Sequence, residues 1–251
     1  MTDSSKRKVF KLEALQASCR SCRLHELCLP VGIPQNDVAI LEQIVEKSPP
    51  IPKGSHLFNA GDNFSAIYVP RSGALKTVHV DEEGEQAVVG FHLPGELVGL
   101  DGLASDRHSL TAEALETTSV CRVGFDQLEA VARKIPALQR QLGRLMSKEF
   151  LKAENHLLLM GNRTAEARLA IFLISLSKRF EERGFSPVEF NLPMSRIDIA
   201  AYLGLASETV SRLFTNFRDQ AMIATEGRLV TLLDLAQLQN LAGESAAEGA
   251  L

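Results

Sequence analysis

Glycine-containing turns divide the segment from Ile51 to Phe125 into short apolar runs. The runs alternate apolar and polar residues, as in Leu75–Val80, and a turn around Gly84 joins that run to the next, Gln86–Phe91. A period of two residues with turns at regular intervals is typical of antiparallel strands. Because the runs are many and short, the segment predicts a double-sheet jelly roll.

A long helix is predicted after the roll. Asp126 and Glu129 have the spacing of a capping box, and Pro136 suits the first turn of a helix that continues to Gly161. Apolar residues recur along it at alternating spacings of three and four, which is the seam of a coiled coil. The seam residues are Gly143, Met146, Phe150, Ala153, Leu157 and Met160, and a second apolar set is Leu138, Leu142 and Leu145. Two apolar faces predict that one face of the helix pairs with a second chain in a parallel homodimer, and that the other face packs on the roll. The alternative is a helix that is wholly buried within one chain.

The last part of the chain has the spacing of a helix-turn-helix. Ser195 and Asp198 form a capping box at the start of a short helix, Gly204 supplies the turn, and a second helix covers Ser207–Arg218. Four apolar residues of that helix share one face: Val210, Leu213, Phe214 and Phe217. Two short runs, Ile223–Thr225 and Leu229–Leu232, follow as a hairpin wing. A winged helix-turn-helix is therefore expected.

The opposite face of the second helix carries the side chains that read base edges. Arg212 can donate two hydrogen bonds to guanine, Glu208 can accept from cytosine, and Ser211 can bind a base or a phosphate. One bidentate pair is worth about 1 to 3 kcal/mol of discrimination. The alternative is an ordinary solvated face. The net charge of -4 argues against binding nucleic acid by charge alone, so any DNA contact must be local.

Four cysteines are present, three near the start and one at the end of the predicted roll: Cys19, Cys22, Cys28 and Cys121. The stretch Met1–Phe10 has basic residues but no apolar run after them, and no later run is long enough to span a membrane. We therefore expect a cytoplasmic protein without membrane contact, in which disulfides are rare. The cysteines favour an iron or zinc centre, and His25 with the N-terminal three is an alternative zinc set. No catalytic motif is found, so an enzyme is not expected.

These patterns divide an α+β chain into five parts. Residues 1–50 form an N-terminal cysteine-rich segment for an iron or zinc centre, 51–125 the β-roll sensor domain, and 126–161 the dimerisation helix region. Residues 162–243 form the winged helix-turn-helix domain, and 244–251 are expected to be a disordered tail.

The chain resembles the fumarate and nitrate reduction (FNR) regulators, a branch of the cAMP receptor protein superfamily. The resemblance rests on the cysteine trio, the long helix, the run FHLPGELVG from Phe91 to Gly99, and the run LASETVSRL from Leu205 to Leu213. It implies an oxygen-labile [4Fe-4S] cluster on Cys19, Cys22, Cys28 and Cys121 that promotes dimerisation. It also implies a transcription regulator that activates anaerobic respiration genes and represses some aerobic ones.

The resemblance further implies the partners. Double-stranded DNA with palindromic TTGAT-type half-sites would be read by Glu208, Ser211 and Arg212, with Ser207 and Thr209 as further contacts. RNA polymerase would be contacted by the hairpin turn, through Asp81, Gly84, Glu85 and Gln86, and by the stretch Arg179–Phe190. The superfamily's cyclic-nucleotide members hold the phosphate with an Arg-Ser pair. Here that place reads Leu110–Ala112, so no cyclic nucleotide is expected. The alternative is a regulator that responds to a small effector or to thiol redox state, with structural zinc.

Overall fold

The computed structural model describes residues 19–81, 83–84 and 86–243. The predictions for residues 1–18, for Glu85 and for the tail at 244–251 concern residues outside these ranges. Within them the fold is α+β, as predicted. It consists of a two-sheet β-roll, a long helix, and a C-terminal helical domain that carries a small sheet.

The roll contains two antiparallel sheets. Their strands are β1 Val45–Lys47, β2 His56–Phe58, β3 Ala66–Ser72, β4 Leu75–Val80, β5 Gln86–His92, β6 Thr111–Ala114 and β7 Ser119–Gly124. One sheet has the order β1-β7-β3 and the other β2-β6-β4-β5. Because β1 pairs with β7, the sheet begins before residue 51, where the sequence pattern starts the roll. A helix, α1 Gln35–Glu42, precedes β1, and a 3-10 helix, Leu100–Ala104, lies between β5 and β6.

Two helices follow the roll, α2 Phe125–Ala132 and α3 Pro136–Asn162. The capping box expected from Asp126 to Glu129 is wrong, because α2 begins directly after β7 and its N-cap residue is Gly124. Asp126 therefore lies inside the first turn, where its carboxylate faces the positive end of the helix dipole. Pro136 is the first residue of α3, as expected.

The two apolar faces of α3 differ in burial. Leu138 and Leu145 are buried against the roll with α1 and α2 residues. On the predicted seam, Phe150 is 64% exposed and Leu157 is 71% exposed. Contacts within the described chain thus cover one apolar face of α3 and leave Phe150 and Leu157 accessible to a partner.

The C-terminal domain contains four helices and a three-stranded sheet. Its elements are α4 Ala165–Glu181, β8 Glu189–Asn191, α5 Arg196–Leu203, α6 Ser207–Asp219, β9 Ile223–Glu226, β10 Leu229–Leu232 and α7 Leu235–Ala242, and the sheet order is β8-β10-β9. The core of this domain is continuous with one face of the roll. Phe91 of β5, for example, packs on Phe172 of α4 and Tyr202 of α5.

Candidate DNA-reading helix and cysteine centre

The helix-turn-helix forms from local signals. The Ser195 hydroxyl accepts from the Asp198 backbone amide at 3.1 Å, and the Asp198 carboxylate accepts from the Ser195 amide at 2.9 Å. Gly204 ends α5 with a φ of 61°, a left-handed conformation that glycine adopts without strain. The predicted capping box and turn are confirmed.

Helix α6 presents the predicted polar face to solvent. Val210, Leu213, Phe214 and Phe217 are buried, whereas Glu208, Ser211, Arg212 and Thr215 are exposed. Ser207 and Thr209 are half-buried near its start. The Ser211 hydroxyl donates to the Ser207 carbonyl at 2.9 Å, which leaves its oxygen lone pairs for an incoming donor.

Arg196 supports α6 from the start of α5, and sequence reasoning missed it. Its guanidinium carbon lies 3.2 Å from the centre of the Phe214 ring. Burial lowers its pKa to about 10, and it stays cationic at neutral pH. A cation on an aromatic face is attracted to the ring, so this contact stabilises the packing of α5 on α6. Its place at the first position of a capped helix was the only local signal.

The four cysteines lie around one small, mainly apolar cavity of about 30 Å³, which Leu29, Val69 and Val123 also line. Cys19, Cys22 and Cys28 belong to a loop of successive turns, in which the His25 amide donates to the Cys22 carbonyl at 3.0 Å. Cys121 lies in β7, between Lys47 of β1 and Val69 of β3. The structure thus brings together the three N-terminal cysteines and the distant fourth one.

Burial governs the acidity of Cys19, Cys28 and Cys121. It raises the pKa of Cys19 to about 11 and that of Cys28 to about 12, and it also raises the pKa of Cys121. The Arg71 guanidinium partly offsets this by lowering the pKa of Cys19 and Cys121. Without a metal ion, Cys19 and Cys28 are therefore neutral at pH 7.

The donor set suits a multi-iron cluster. Four thiols surround one apolar cavity, and a [4Fe-4S] cluster takes one thiolate on each iron, so its ligands need not meet at a single point. In the described part of the chain, no three His, Cys, Asp or Glu side chains are grouped closely enough to hold one metal ion. The cavity has room for about one water molecule, so a cluster would need the cysteines farther apart than they lie here.

The cysteine loop is docked on two helices. The Gln141 side chain of α3, only 5% exposed, donates to the Cys28 carbonyl at 3.2 Å. The Arg20 guanidinium donates to the Gln35 carbonyl of α1 at 3.1 Å, so Arg20 fastens the loop to α1. Sequence reasoning missed Gln141, because a hydrogen bond between such distant residues has no local signal.

The proposed polymerase-contacting residues differ in exposure. Asp81, Gly84 and Gln86 lie in or beside the exposed β4–β5 turn, where the Gly84 amide donates to the Asp81 carbonyl at 3.1 Å. In contrast, the side chain of Arg179 is only 19% exposed, because it is directed at Glu96 of the roll. Arg179 is therefore unavailable as an exposed contact, which corrects the expectation for the start of the stretch Arg179–Phe190.

Comparison with known proteins agrees with this geometry. A cyclic nucleotide-binding domain model matches residues 50–134, and a Crp-like helix-turn-helix domain model matches residues 167–241. The transcriptional activator protein Anr of Pseudomonas protegens is 49% identical over 230 residues, covering 92% of this chain and 94% of Anr. The fumarate and nitrate reduction regulatory protein of Escherichia coli is 42% identical over 227 residues, covering 90% and 91%. The chain belongs to the FNR branch of the Crp/Fnr family of transcription regulators.

A solved relative of this FNR-type regulator has the same fold. The structure of FixK2 from Bradyrhizobium japonicum matches with a TM-score of 0.73 and 32% identity, over 82% of this chain and all of that one. Anr is named a transcriptional activator and the Escherichia coli relative a regulatory protein, which agrees with the expectation that the protein is not an enzyme. Among the described residues, no helix is both long and apolar enough to cross a membrane.

Proposed function

We propose that this DNA-binding regulator responds to oxygen through a [4Fe-4S] cluster on Cys19, Cys22, Cys28 and Cys121. The observation that carries the proposal is the meeting of the four cysteines around one cavity at the base of α3. When bound, the cluster would supply an oxygen-labile link between the N-terminal loop and β7. The names of the relatives, with fumarate and nitrate reduction among them, support a role in anaerobic gene expression.

Residues of the chain couple this centre to dimerisation in the proposal. The Gln141 side chain of α3 donates a hydrogen bond to the Cys28 carbonyl of the loop. A change in the position of the loop would therefore act on the first half of α3. The exposed seam residues Gly143, Met146 and Phe150, with Ala153, Leu157 and Met160 further along, would pair two chains. Of these, Met160 is half-buried beside Gly204, so the seam ends close to the DNA-binding domain.

A dimer would place two α6 helices on a palindromic TTGAT-type site about one DNA turn apart. Arg212 and Glu208 would read bases, and Ser207, Thr209 and Ser211 would add base or phosphate contacts. The bound dimer would activate anaerobic respiration genes and repress some aerobic ones, in the cytoplasm where chromosomal DNA lies. The turn with Asp81, Gly84, Glu85 and Gln86 would contact RNA polymerase.

A cyclic nucleotide is not part of the proposal, although the roll matches a cyclic nucleotide-binding domain model. The phosphate would need a cation where the chain has Leu110, Thr111 and Ala112. Ala112 is fully buried, and the Thr111 hydroxyl already accepts from the Ala60 amide at 3.0 Å. The family-model match keeps an effector-responsive regulator with structural zinc as the second candidate.

One experiment separates the two candidates. The protein is purified without oxygen, its visible spectrum and iron content are recorded, and air is admitted while mass and operator binding are followed. We expect a coloured, iron-containing dimer that loses colour, dimer and DNA affinity in air. A colourless zinc protein whose mass and affinity do not change in air would refute the proposal.

The fourth ligand and the reading residue have narrower tests. Cys121→Ser should lose the cluster, whereas Arg122→Gln, which changes the next residue on the opposite face of β7, should keep it. Arg212→Ala should weaken operator binding far more than non-specific binding. The control is Arg218→Ala, an exposed cation near the end of α6. Equal losses of specific and non-specific binding in Arg212→Ala would reduce Arg212 to a phosphate contact.

A further inference from the structure

The turn from Phe91 to Glu96 lies between the cysteine loop and the DNA-binding domain. We propose that Glu96 is a positioning residue that fixes the orientation of the DNA-binding domain on the roll, and that the cysteine loop acts on this turn directly. The state of the loop would then reach DNA binding by a route separate from dimerisation. The positioning role needs no cluster, whereas the signal that the turn receives rests on the proposed function.

Two arginines of the DNA-binding domain donate hydrogen bonds to the turn. Arg179 donates to both oxygens of Glu96, at 2.9 and 2.7 Å, and Arg183 donates to one of them at 2.6 Å. They also bind its backbone: Arg179 donates to the Phe91 carbonyl and Arg183 to the Pro94 carbonyl, each at 2.7 Å. Paired charged hydrogen bonds of this kind fix direction as well as distance.

This ion cluster is shielded from water. The Glu96 side chain is 10% exposed and that of Arg183 only 2%. Lys152 of α3 approaches Glu96 to 3.7 Å, so three cations converge on one carboxylate. Burial alone would raise the pKa of Glu96, but Arg179, Lys152 and Arg183 hold it below its usual range. The group is therefore ionised at every pH at which the protein would act.

The other side of the turn touches the cysteine loop. Gly95 has a φ of 93°, and its amide donates to the Pro70 carbonyl at 2.9 Å. A Cβ at this position would lie 3.1 Å from the Leu27 Cβ and 3.8 Å from that of Leu24. The Leu27 side chain therefore lies against Gly95, and a side chain at position 95 would crowd it. A shift of the loop that makes room for a cluster would change the contact between Leu27 and the turn that carries Glu96.

Two further contacts hold the DNA-binding domain against the roll. The ring of Tyr202 in α5 packs on two other rings. Its centre lies 5.1 Å from that of Phe91 in β5 and 4.2 Å from that of His156 in α3, with which it is stacked. Lys76 of β4 is paired at 2.8 Å with Asp198, which belongs to the capping box of α5. The helix-turn-helix is thus held at α5 while Glu96 holds α4, and together these contacts set where α6 points.

The test is Glu96→Gln, with Glu129→Gln as the matched control because Glu129 is paired with Arg133 in an exposed turn of α2. Oxygen-free protein is assayed for cluster absorbance, dimer mass and affinity per dimer for palindromic operators. The operators have the natural spacer or one base pair more or less. We expect Glu96→Gln to keep its cluster and dimer mass, to bind the natural operator about threefold to thirtyfold more weakly, and to discriminate less between spacers. Unchanged affinity and spacer preference would overturn the proposal.

A second variant covers the possibility that Glu96→Gln unfolds. Glu96→Gln with Arg183→Gln removes a cation that would otherwise be buried without its carboxylate, and it should fold but show the same spacer tolerance. For the loop contact, Leu27→Ala should also weaken operator binding per dimer, and combining it with Glu96→Gln should add little. Losses that simply add would overturn the direct loop route. If the wild-type protein kept its colour, dimer mass and DNA affinity in air, the proposed function would be refuted instead. The Glu96 proposal would not be affected, because its comparison is made without oxygen.

Discussion

Replacing Gln141 with Leu should loosen the cysteine loop while leaving α3 intact. The change removes the donor that lies 3.2 Å from the Cys28 carbonyl, in a site where Gln141 is 5% exposed. A lost hydrogen bond costs about 1 kcal/mol net. No larger penalty applies, because the Cys28 carbonyl keeps the Val31 amide as a donor. Since 1.4 kcal/mol is a factor of ten, loop opening should become about fivefold more frequent.

Amide hydrogen exchange measures this opening directly. The Val31 amide donates to the Cys28 carbonyl and the Ile33 amide to the Pro30 carbonyl, so both report on the loop. In Gln141→Leu their exchange should accelerate about fivefold, while the helical amide of Leu145 keeps its rate. Gln139→Leu, an exposed change on the same helix, is the control. Loop exchange that matches the control would refute the coupling of Gln141 to the loop.

Three further predictions concern dimerisation, pH and the turn of the DNA-binding domain. Phe150→Glu should give a cluster-containing monomer by sedimentation, because it places a charge on an exposed apolar seam, whereas Arg140→Glu outside the seam should still dimerise. In metal-free protein burial raises the pKa of the Cys28 thiol to about 12. The neutral thiol therefore makes its full contribution to the free energy of unfolding below its unfolded-state pKa of about 8.5, and this contribution is lost as pH rises toward 12. Denaturant unfolding should therefore show loss of stability above about pH 8.5 that Cys28→Ser lacks; a flat profile would contradict the burial of this thiol. Gly204→Ala should destabilise the C-terminal domain by at least about 1–2 kcal/mol, because φ is 61° and the new Cβ would lie against Met160; an unchanged melting temperature would contradict the turn geometry.

Local signals predicted much of the fold. The β4–β5 hairpin, Pro136 at the start of α3 and the box of Ser195 with Asp198 all lie where the pattern placed them. Such features depend on residues within a few positions of one another. The error at Asp126 has the same origin, because two carboxylates at box spacing do not reveal that β7 runs directly into α2.

The candidate site was only partly predictable. Residue types and spacing identified the four cysteines and the polar face of α6, including Arg212. They did not identify Gln141 as the contact of the loop, nor Arg196 as the support of the reading helix. These residues have common types at unremarkable positions, and only their distant neighbours give them a role.

By itself the sequence determined which segments become strands and helices, and which residue types can bind iron or bases. Tertiary structure alone decided how the parts are coupled. Glu96 meets Arg179 and Arg183, and Cys28 meets Gln141, across long separations in the chain. The physical reason is that secondary structure follows from local backbone and periodic burial, whereas a buried charge finds its partner only after the elements have packed.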